Sequence, residues 1–515
     1  MTRNDFKTIL WQSADRLRSA MDGSEYKHIV LGLLFLKYLS DSFEKQRNEM
    51  EKQFSDPNSD YYLGDCDSNE IESELEDRDY YSKDNVYWVP KESRWENLRN
   101  NASADNFGKR IDDALRAVED DNKKLKGILN KNYTNVPLSN ENLAELFNKL
   151  GEIDTQDSGK KDLLGEIYEY FLGKFALSEG KRGGQYYTAQ SVVKILIEIL
   201  SPEKGKIYDP CCGSGGMFVQ TMKFVDAHNN NDHKNISIYG QESNPTTWKL
   251  ANMNLAIRGL DYRLGNMACD TFHNDCHPDL RADYIMANPP FNISEWGGDK
   301  LTHDSRWKYG IPPSGNANYA WLQHILYHLS SNGRAGVVLS NGSMSTTQGG
   351  EDSIRKNMID NDLVECMVAL PGQLFTNTQI PVCIWFLAKN KKRTGEILFI
   401  DARDKGSMET RVLRNFTDDE IIEFGTIYKN WLNDTGYQDI KGYCKSASID
   451  EIKEQEYTLT PGRYVGVADL EDDGIPFGEK MSTSTDELKK QFAESERLQA
   501  EIKTQLAKVG VSFDE

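Results

Sequence analysis

From residue 166 to about residue 400, short apolar runs alternate with segments of helical period, and this alternation narrows the fold more than any other feature. SVVKILIEIL reads as an amphipathic helix, and KIYDP as a strand stopped by Pro210. ISIYGQE is a second strand, WKLANMNLAIRG a helix closed by Gly259, and ADYIMANPP a third strand. NYAWLQHILYHLSS returns to helical period, and RAGVVLSNG, LVECMVAL and PVCIWFLAK read as further strands. Strands alternating with helices across short turns predict an α/β fold with a doubly wound, parallel or mostly parallel sheet. Ligands in such sheets sit at the carboxyl ends of the strands.

The flanks read differently. Residues 1–165 carry helical patterns, as in ADRLRSAMDGSEYKHIVLGLLFLKYLSDSFEKQ, interrupted by an acidic stretch expected at the surface. Residues 401–515 are mixed and polar and end in an amphipathic helix, for which Ser484 and Glu487 offer a capping box. Three regions are therefore expected: 1–165 helical, 166–400 the sheet, and 401–515 ending in a helix that docks either on its own chain or on another subunit.

No stretch approaches the roughly 18 apolar residues of a membrane span; Ile29–Leu36 is interrupted at once by Lys37. The N-terminus has no continuous signal-peptide core, so a cytoplasmic location is expected. Eight cysteines without framework spacing read as reduced thiols. Cys269, His273, Cys276 and His277 lie close in sequence, but adjacent Cys276 and His277 point apart in most conformations, so no metal is expected there. The formal net charge of −20 argues against a chain that grips nucleic acid unaided.

Two strand ends carry chemistry. After KIYDP comes Asp209-Pro210-Cys211-Cys212-Gly213-Ser214-Gly215-Gly216, then a helix. Its glycines permit a tight turn and close approach to a ligand, yet the spacing is neither a dinucleotide fingerprint nor a phosphate loop. Asp209 at the strand mouth suits an ammonium group, and Glu242 after the next strand suits ribose hydroxyls. A nucleoside with an amino-acid tail, S-adenosylmethionine, fits both; another nucleotide or a merely structural turn is the alternative. The other strand ends in Asn288-Pro289-Pro290-Phe291. An aromatic exocyclic amine is a poor nucleophile until acceptors draw on its N–H bonds. The Asn288 amide oxygen and the Pro289 carbonyl can do so from a backbone that Pro289 and Pro290 restrict, while Phe291 offers a stacking face. The bland alternative is a strand-ending turn.

In the order GGQYYTAQ, DPCCGSGG, GQES, ADYIMANPPF, the chain resembles the N6-adenine DNA methyltransferases, and more narrowly the modification (M) subunit of type I restriction–modification systems. The likeness extends through VYWVPKESRW, RWKYGIPPSGNANYAWLQHIL, RAGVVLSNGSM, LPGQLFTNTQIPVCIWFL and TPGRYVG. It implies a Rossmann-like methyltransferase domain using S-adenosylmethionine. Gln185, Tyr186, Tyr187, Thr188, Ala189 and Gln190 would lie at the cofactor's methionine end. Gly213, Ser214, Gly215 and Gly216 would form the turn beneath it, with Asp209 at its amino group, Glu242 at the ribose and Asp270 at the adenine amine. Asn288, Pro289, Pro290 and Phe291 would hold the target adenine, flipped out of double-stranded DNA, with Phe375 a second stacking face. Ala189 stands where relatives have proline, and Phe291 where many have tyrosine. Only residues 390–515 follow IWFLAK, thin for a base-reading domain, and Lys389–Arg393 reads as a solvated turn rather than a DNA track. The resemblance accordingly implies a separate specificity (S) subunit bound by two M subunits, and an optional restriction (R) subunit. A stand-alone methyltransferase for protein or RNA, or a non-catalytic scaffold, are the competing readings.

Overall fold

The computed structural model describes residues 7, 8, 11, 12, 15, 23–64, 66–84, 86–153, 163–183, 188–228, 235–375, 378–467 and 477–508. The chain packs as two units, Met1–Gly466 and Val467–Glu515.

In the first unit, helix Gly23–Ser55 is apolar nearly all round between Ile29 and Leu36. Such a helix must be enclosed, and helices Asn140–Gly151 and Leu163–Gly183 pack against it. Lys37, the charge that interrupts this run, is itself buried and paired with Asp41 at 2.5 Å. Below them Trp95 stacks on Phe147 with ring centroids 3.7 Å apart. The acidic stretch holds two short helices, Ser68–Glu74 and Asp79–Ser82, the first opened by a capping box from Asp67 to Glu70.

The sheet contains β1 (Gly205–Asp209), β2 (Ile236–Gly240), β3 (Tyr262–Arg263), β4 (Ala282–Ala287), β5 (Leu329–Ser340), β6 (Val364–Ala369), β7 (Val382–Ala388) and β8 (Glu396–Asp401). A hairpin of β9 (Ser407–Met408) and β10 (Arg414–Asn415) stands apart, and β11 (Cys444–Ser448) joins the sheet edge. Among the described residues the order is β11-β8-β6-β7-β5-β4-β1-β2-β3. The pairs β1–β2, β1–β4, β2–β3, β4–β5 and β6–β8 are parallel, whereas β7 runs antiparallel to β5 and β6, and β11 antiparallel to β8. A mostly parallel sheet is what the alternation predicts. The reversal at β7 has a local cause: the 12-residue connection 370–381 shows no helix among its described residues to make the crossover that a parallel return needs.

Period-two side chains divide between two cores. Ile207, Ile238, Met286, Val338, Val368 and Ile384 face helices Gln190–Leu200, Gly216–His228, Pro245–Ala256 and Asp418–Asn433. Tyr208, Ile285, Val337, Met367 and Trp385 face helices Asn318–His328 and Glu351–Asp360. The helical region shares the first core and is tied to it by hydrogen bonds from Tyr38 Oη to the Ala256 carbonyl (3.1 Å) and from Arg258 to the Gly165 carbonyl (2.8 Å).

Two local expectations need correction. The basic run is a turn with Lys389, Asn390 and Lys392 exposed, as expected, but its charges are not free. Lys391 is buried and donates to Asp362 and the Glu396 carbonyl, Arg393 pairs with Glu396 and Asp434, Lys392 donates to Asn433, and Lys389 to the Leu329 carbonyl. Those four residues tie a turn to the elements around it. In the second unit, helix Phe477–Lys508 starts before Ser484, so Ser484 and Glu487 lie inside it and cap nothing. Thr483 and Thr485 there return their hydroxyls to the Glu479 and Met481 carbonyls, which lets such residues sit within a helix. That helix carries Leu488, Phe492, Leu498 and Ile502 at exposed positions. Among the described residues, no helix is long and apolar enough to cross a membrane.

Candidate functional site

The parallel register decides what meets at the carboxyl edge. Asp209 pairs with Gly240, and Tyr208 with Ile285, so Asp209, Gln241–Glu242 and Asn288 leave neighbouring strands at one level. β1 continues to β2 on one side and is flanked by β4 on the other, which makes the gap a topological switch point.

The turn after β1 works through Gly213 (φ +56°) and Gly215 (φ +78°), a left-handed region costly for other residues. Gly213 N–H donates to Glu242 (3.1 Å), and Asn254 donates to the Ser214 carbonyl (2.8 Å). Gln241, fully buried, stitches the edge together: it donates to the Cys269 and Asn274 carbonyls and accepts from Cys276 N–H. Two adjoining cavities share Cys211, Gly213 and Asn288. The smaller is bordered by Thr188, Gln190, Asp209, Ser214 and Gly216. The larger, about 550 Å³, is bordered by Glu242, Asp270, Phe272, Pro290, Ile293 and Trp296, and its size suits a ligand of nucleoside scale.

Electrostatics there are unusual. Asp209 is buried and accepts from Cys211 N–H (3.0 Å). Burial, reinforced by the charge of Glu242, raises its pKa from 3.8 to about 7. Glu242 accepts from Asn244 and Gly213 N–H groups, yet burial still pushes its pKa up. Two buried carboxylates with no cation beside them among the described residues favour a ligand that brings positive charge and hydroxyl donors. Asp270 is half exposed; one oxygen accepts from Phe272 N–H (2.9 Å), and the other meets His273 Nδ1 (2.7 Å).

Asn288 supplies the decisive geometry. Its Nδ2 donates to Thr188 Oγ1 at 3.0 Å. That bond turns the amide so that Oδ1 is buried with no hydrogen-bond partner among the described residues. Buried orphan acceptors are rare and call for an explanation. The Phe291 ring meets Phe375 edge-on, with centroids 6.3 Å apart at 88°. Phe375 therefore offers no second face parallel to Phe291.

The predicted site residues divide clearly. Thr188, Gln190, Asp209, Gly213, Ser214, Gly216, Glu242, Asp270, Asn288 and Pro290 border the two cavities. Ala189 instead precedes helix Gln190–Leu200 as its N-cap, Gly215 packs towards Leu255, and Pro289 is buried. Gln185, Tyr186 and Tyr187 lie outside the described residues. Of the residues weighed for a metal, His273 serves Asp270 and His277 meets the Gly240 carbonyl (2.9 Å). A different cluster, Asp275, His324 and His328, converges, but Arg306 and Tyr208 occupy the two nitrogens of His324. A guanidinium at that place opposes a cation.

Sequence reasoning missed Phe272, Ile293, Trp296, Gln241 and Arg306. Phe272 and His273 stood in plain view beside Asp270 in ACDTFHN. Arg306, which donates to the Thr271 and Phe272 carbonyls and pairs with Asp304, comes from a distant segment that no spacing rule links to Asp270.

Comparison with known proteins agrees with this geometry. The family model for N-6 DNA methylases matches residues 159–473, and that for the HsdM N-terminal domain matches residues 6–150. The chain is 51% identical to the type I restriction enzyme HindI methylase subunit of Haemophilus influenzae, over 82% of this chain and 100% of that one. It is 41% identical to the MjaIX methylase subunit of Methanocaldococcus jannaschii, over 98% and 92% of the respective chains. A crystal structure of a type I restriction-modification methyltransferase subunit from Streptococcus thermophilus superposes with a TM-score of 0.76 at 26% identity, covering 90% of this chain and 100% of the other.

The raised Asp209 pKa carries a stability consequence. Between its ordinary pKa of 3.8 and about 7, the folded protein keeps a proton that the unfolded chain has released, so stability falls as pH rises through that window. The full penalty, roughly 4 kcal/mol at most, is present above pH 7. Asp209→Asn keeps the acceptor for Cys211 N–H and removes the charge. Thermal unfolding of the ligand-free protein is expected to show a higher Tm for this variant at pH 8 and no gain near pH 4; a lower Tm at pH 8 would contradict the assignment.

Proposed function

The chain belongs to the N-6 DNA methylase family, as a methylase subunit of the type I restriction enzymes, and from that premise we propose that it methylates the N6 amine of adenine in double-stranded DNA using S-adenosylmethionine. The observation that carries this reading is the Asn288 amide, held by Thr188 with its oxygen buried and, among the described residues, without a partner at the cavity edge.

S-adenosylmethionine supplies a methyl group made electrophilic by its sulfonium. The donor set fits it: Asp209 would meet the ammonium, Glu242 the ribose hydroxyls, and Asp270 the adenine amine, sharing its carboxylate with His273. Thr188 and Gln190, with Gln185 to Tyr187 before them, would enclose the methionine end, and Ala189 between them would contribute only backbone. Gly213 to Gly216 let the backbone come close.

The chain's own residues prepare the nucleophile. The target adenine leaves its duplex, because no side chain reaches N6 to this extent within the stack. Asn288 Oδ1 and the Pro289 carbonyl accept its two N–H bonds and localise the nitrogen lone pair towards the methyl donor. Pro289 and Pro290 restrict the backbone that aims both oxygens, so little reorganisation is needed at reaction. Phe291 stacks on the purine, a contact worth ~1–3 kcal/mol.

Sequence specificity is assigned to a separate S subunit, with two methylase subunits per S subunit and an R subunit where restriction accompanies modification. The net charge of −20 and the internal use of Lys389–Arg393 both weigh against this chain tracking DNA alone. In this scheme residues 166–400 perform catalysis, while 1–165 and 401–515 supply subunit contacts.

Two outcomes are expected. Asn288→Ala abolishes methyl transfer by the assembled complex while cofactor affinity, read by calorimetry, stays within about tenfold, or ~1.4 kcal/mol; near-normal turnover would show that the amine is activated elsewhere. Removing residues after 480 lowers co-purification with the S subunit and leaves cofactor binding intact; unchanged co-purification would remove the terminal helix from the interface.

A further inference from the structure

Two prolines fix the backbone that enters Phe291, but nothing in them fixes the chain that leaves it. That chain turns at Asn292, whose φ is +53°. The left-handed region is strained for a residue with a side chain, and asparagine is among the few that visit it routinely. Three hydrogen bonds hold it there. Asn292 N–H donates to Asn318 Oδ1 (3.0 Å), Asn318 Nδ2 donates back to Asn292 Oδ1 (2.8 Å), and Ser340 Oγ donates to the same oxygen (3.1 Å).

The two partners come from rigid, buried places. Asn318, 2% exposed, begins helix Asn318–His328, and its own N–H donates to Asn316 Oδ1 (3.0 Å). Ser340, 6% exposed, ends β5. Ala287 pairs with Val337 across the parallel β4–β5 ladder, so Ser340, three residues on, arrives at the level of Pro290. Glycine would adopt the turn at 292 without strain. It would lack the oxygen on which Asn318 and Ser340 converge. The turn is thus clamped well beyond what reversing the chain requires, a pattern that accompanies functional positions.

We propose that Asn318, together with Ser340, is a positioning residue for methyl transfer: by locking Asn292 it fixes the Phe291 ring and the Pro289 carbonyl against which the extruded adenine is seated. Prolines brace the segment from one side and the clamp from the other. This deepens, and rests on, the function proposed above. It also gives a task to Asn318 of GNANYAW and Ser340 of GVVLS, segments that the catalytic reading left without one.

The test compares Asn318→Ala and Asn292→Gly with the parent, each co-purified with the S subunit and assayed by labelled-methyl transfer to unmethylated host DNA. Asn292→Gly suits the backbone angle, so it folds even if Asn318→Ala does not. Both variants are expected to lose roughly 10- to 100-fold in kcat, the scale of a misplacement near 1 Å. KM and Kd for S-adenosylmethionine should stay within about twofold of the parent, since no clamp residue borders the inner cavity that holds Asp209. A merely structural role would lower Tm and yield but leave kcat per folded enzyme unchanged. Parent-like kcat in Asn292→Gly overturns the proposal. An inactive parent complex would instead strike the proposed function itself, so the two failures are distinguishable.

Discussion

Parallel pairing of β1 with β2 on one side and β4 on the other is the constraint from which the rest of the site follows. It delivers a carboxylate, a second carboxylate and an amide to one edge, although Glu242 lies 33 positions after Asp209 and Asn288 46 positions after Glu242. No local motif achieves this. Shifting any of the three strands by one residue would turn its side chains to the opposite core, where Ile207 and Tyr208 have different neighbours. Burial on both faces therefore protects the alignment of this edge.

The edge is assembled at a cost in stability. Burial raises the pKa of both Asp209 and Glu242, the charge of Glu242 adding to the rise at Asp209, and the Asn288 oxygen is buried with no donor among the described residues. Each is unfavourable in the empty protein and each is relieved by a ligand of matching chemistry. Such sites hold stability in reserve for binding. Gln241, Asn254 and Arg306 bear the complementary load, joining the loops after β1, β2 and residue 268 so that strain at the edge does not disperse through movement.

Much of this was legible in the sequence, for a physical reason. Strand and helix periods are local, so the alternation from KIYDP to PVCIWFLAK predicted the sheet, and chain breaks at Asp209-Pro210 and Asn288-Pro289 marked the strand ends that matter. What escaped was tertiary. The reversal of β7 depends on a connection too short for a crossover. Lys389–Arg393 looked like free charge because Asp362, Asp434 and the Leu329 carbonyl are remote in sequence. Ser484 looked like a cap because its spacing to Glu487 was right, yet helix propensity carried the helix past it towards Phe477. Thr188 and Asn288 were each singled out, but nothing in their spacing predicted that the one orients the other.

The central claim is that Asn288 and Pro289 present two oxygens to the amine of an adenine extruded from DNA. Electron cryomicroscopy of the complex with its S subunit, target DNA and a non-transferring cofactor analogue tests it most directly. The account predicts the target N6 at about 3 Å from both Asn288 Oδ1 and the Pro289 carbonyl, hydrogen-bonding distance, with the purine face on Phe291. An extruded base lodged away from residues 288–291, or an adenine still paired in the duplex beside a filled cofactor cavity, would contradict it.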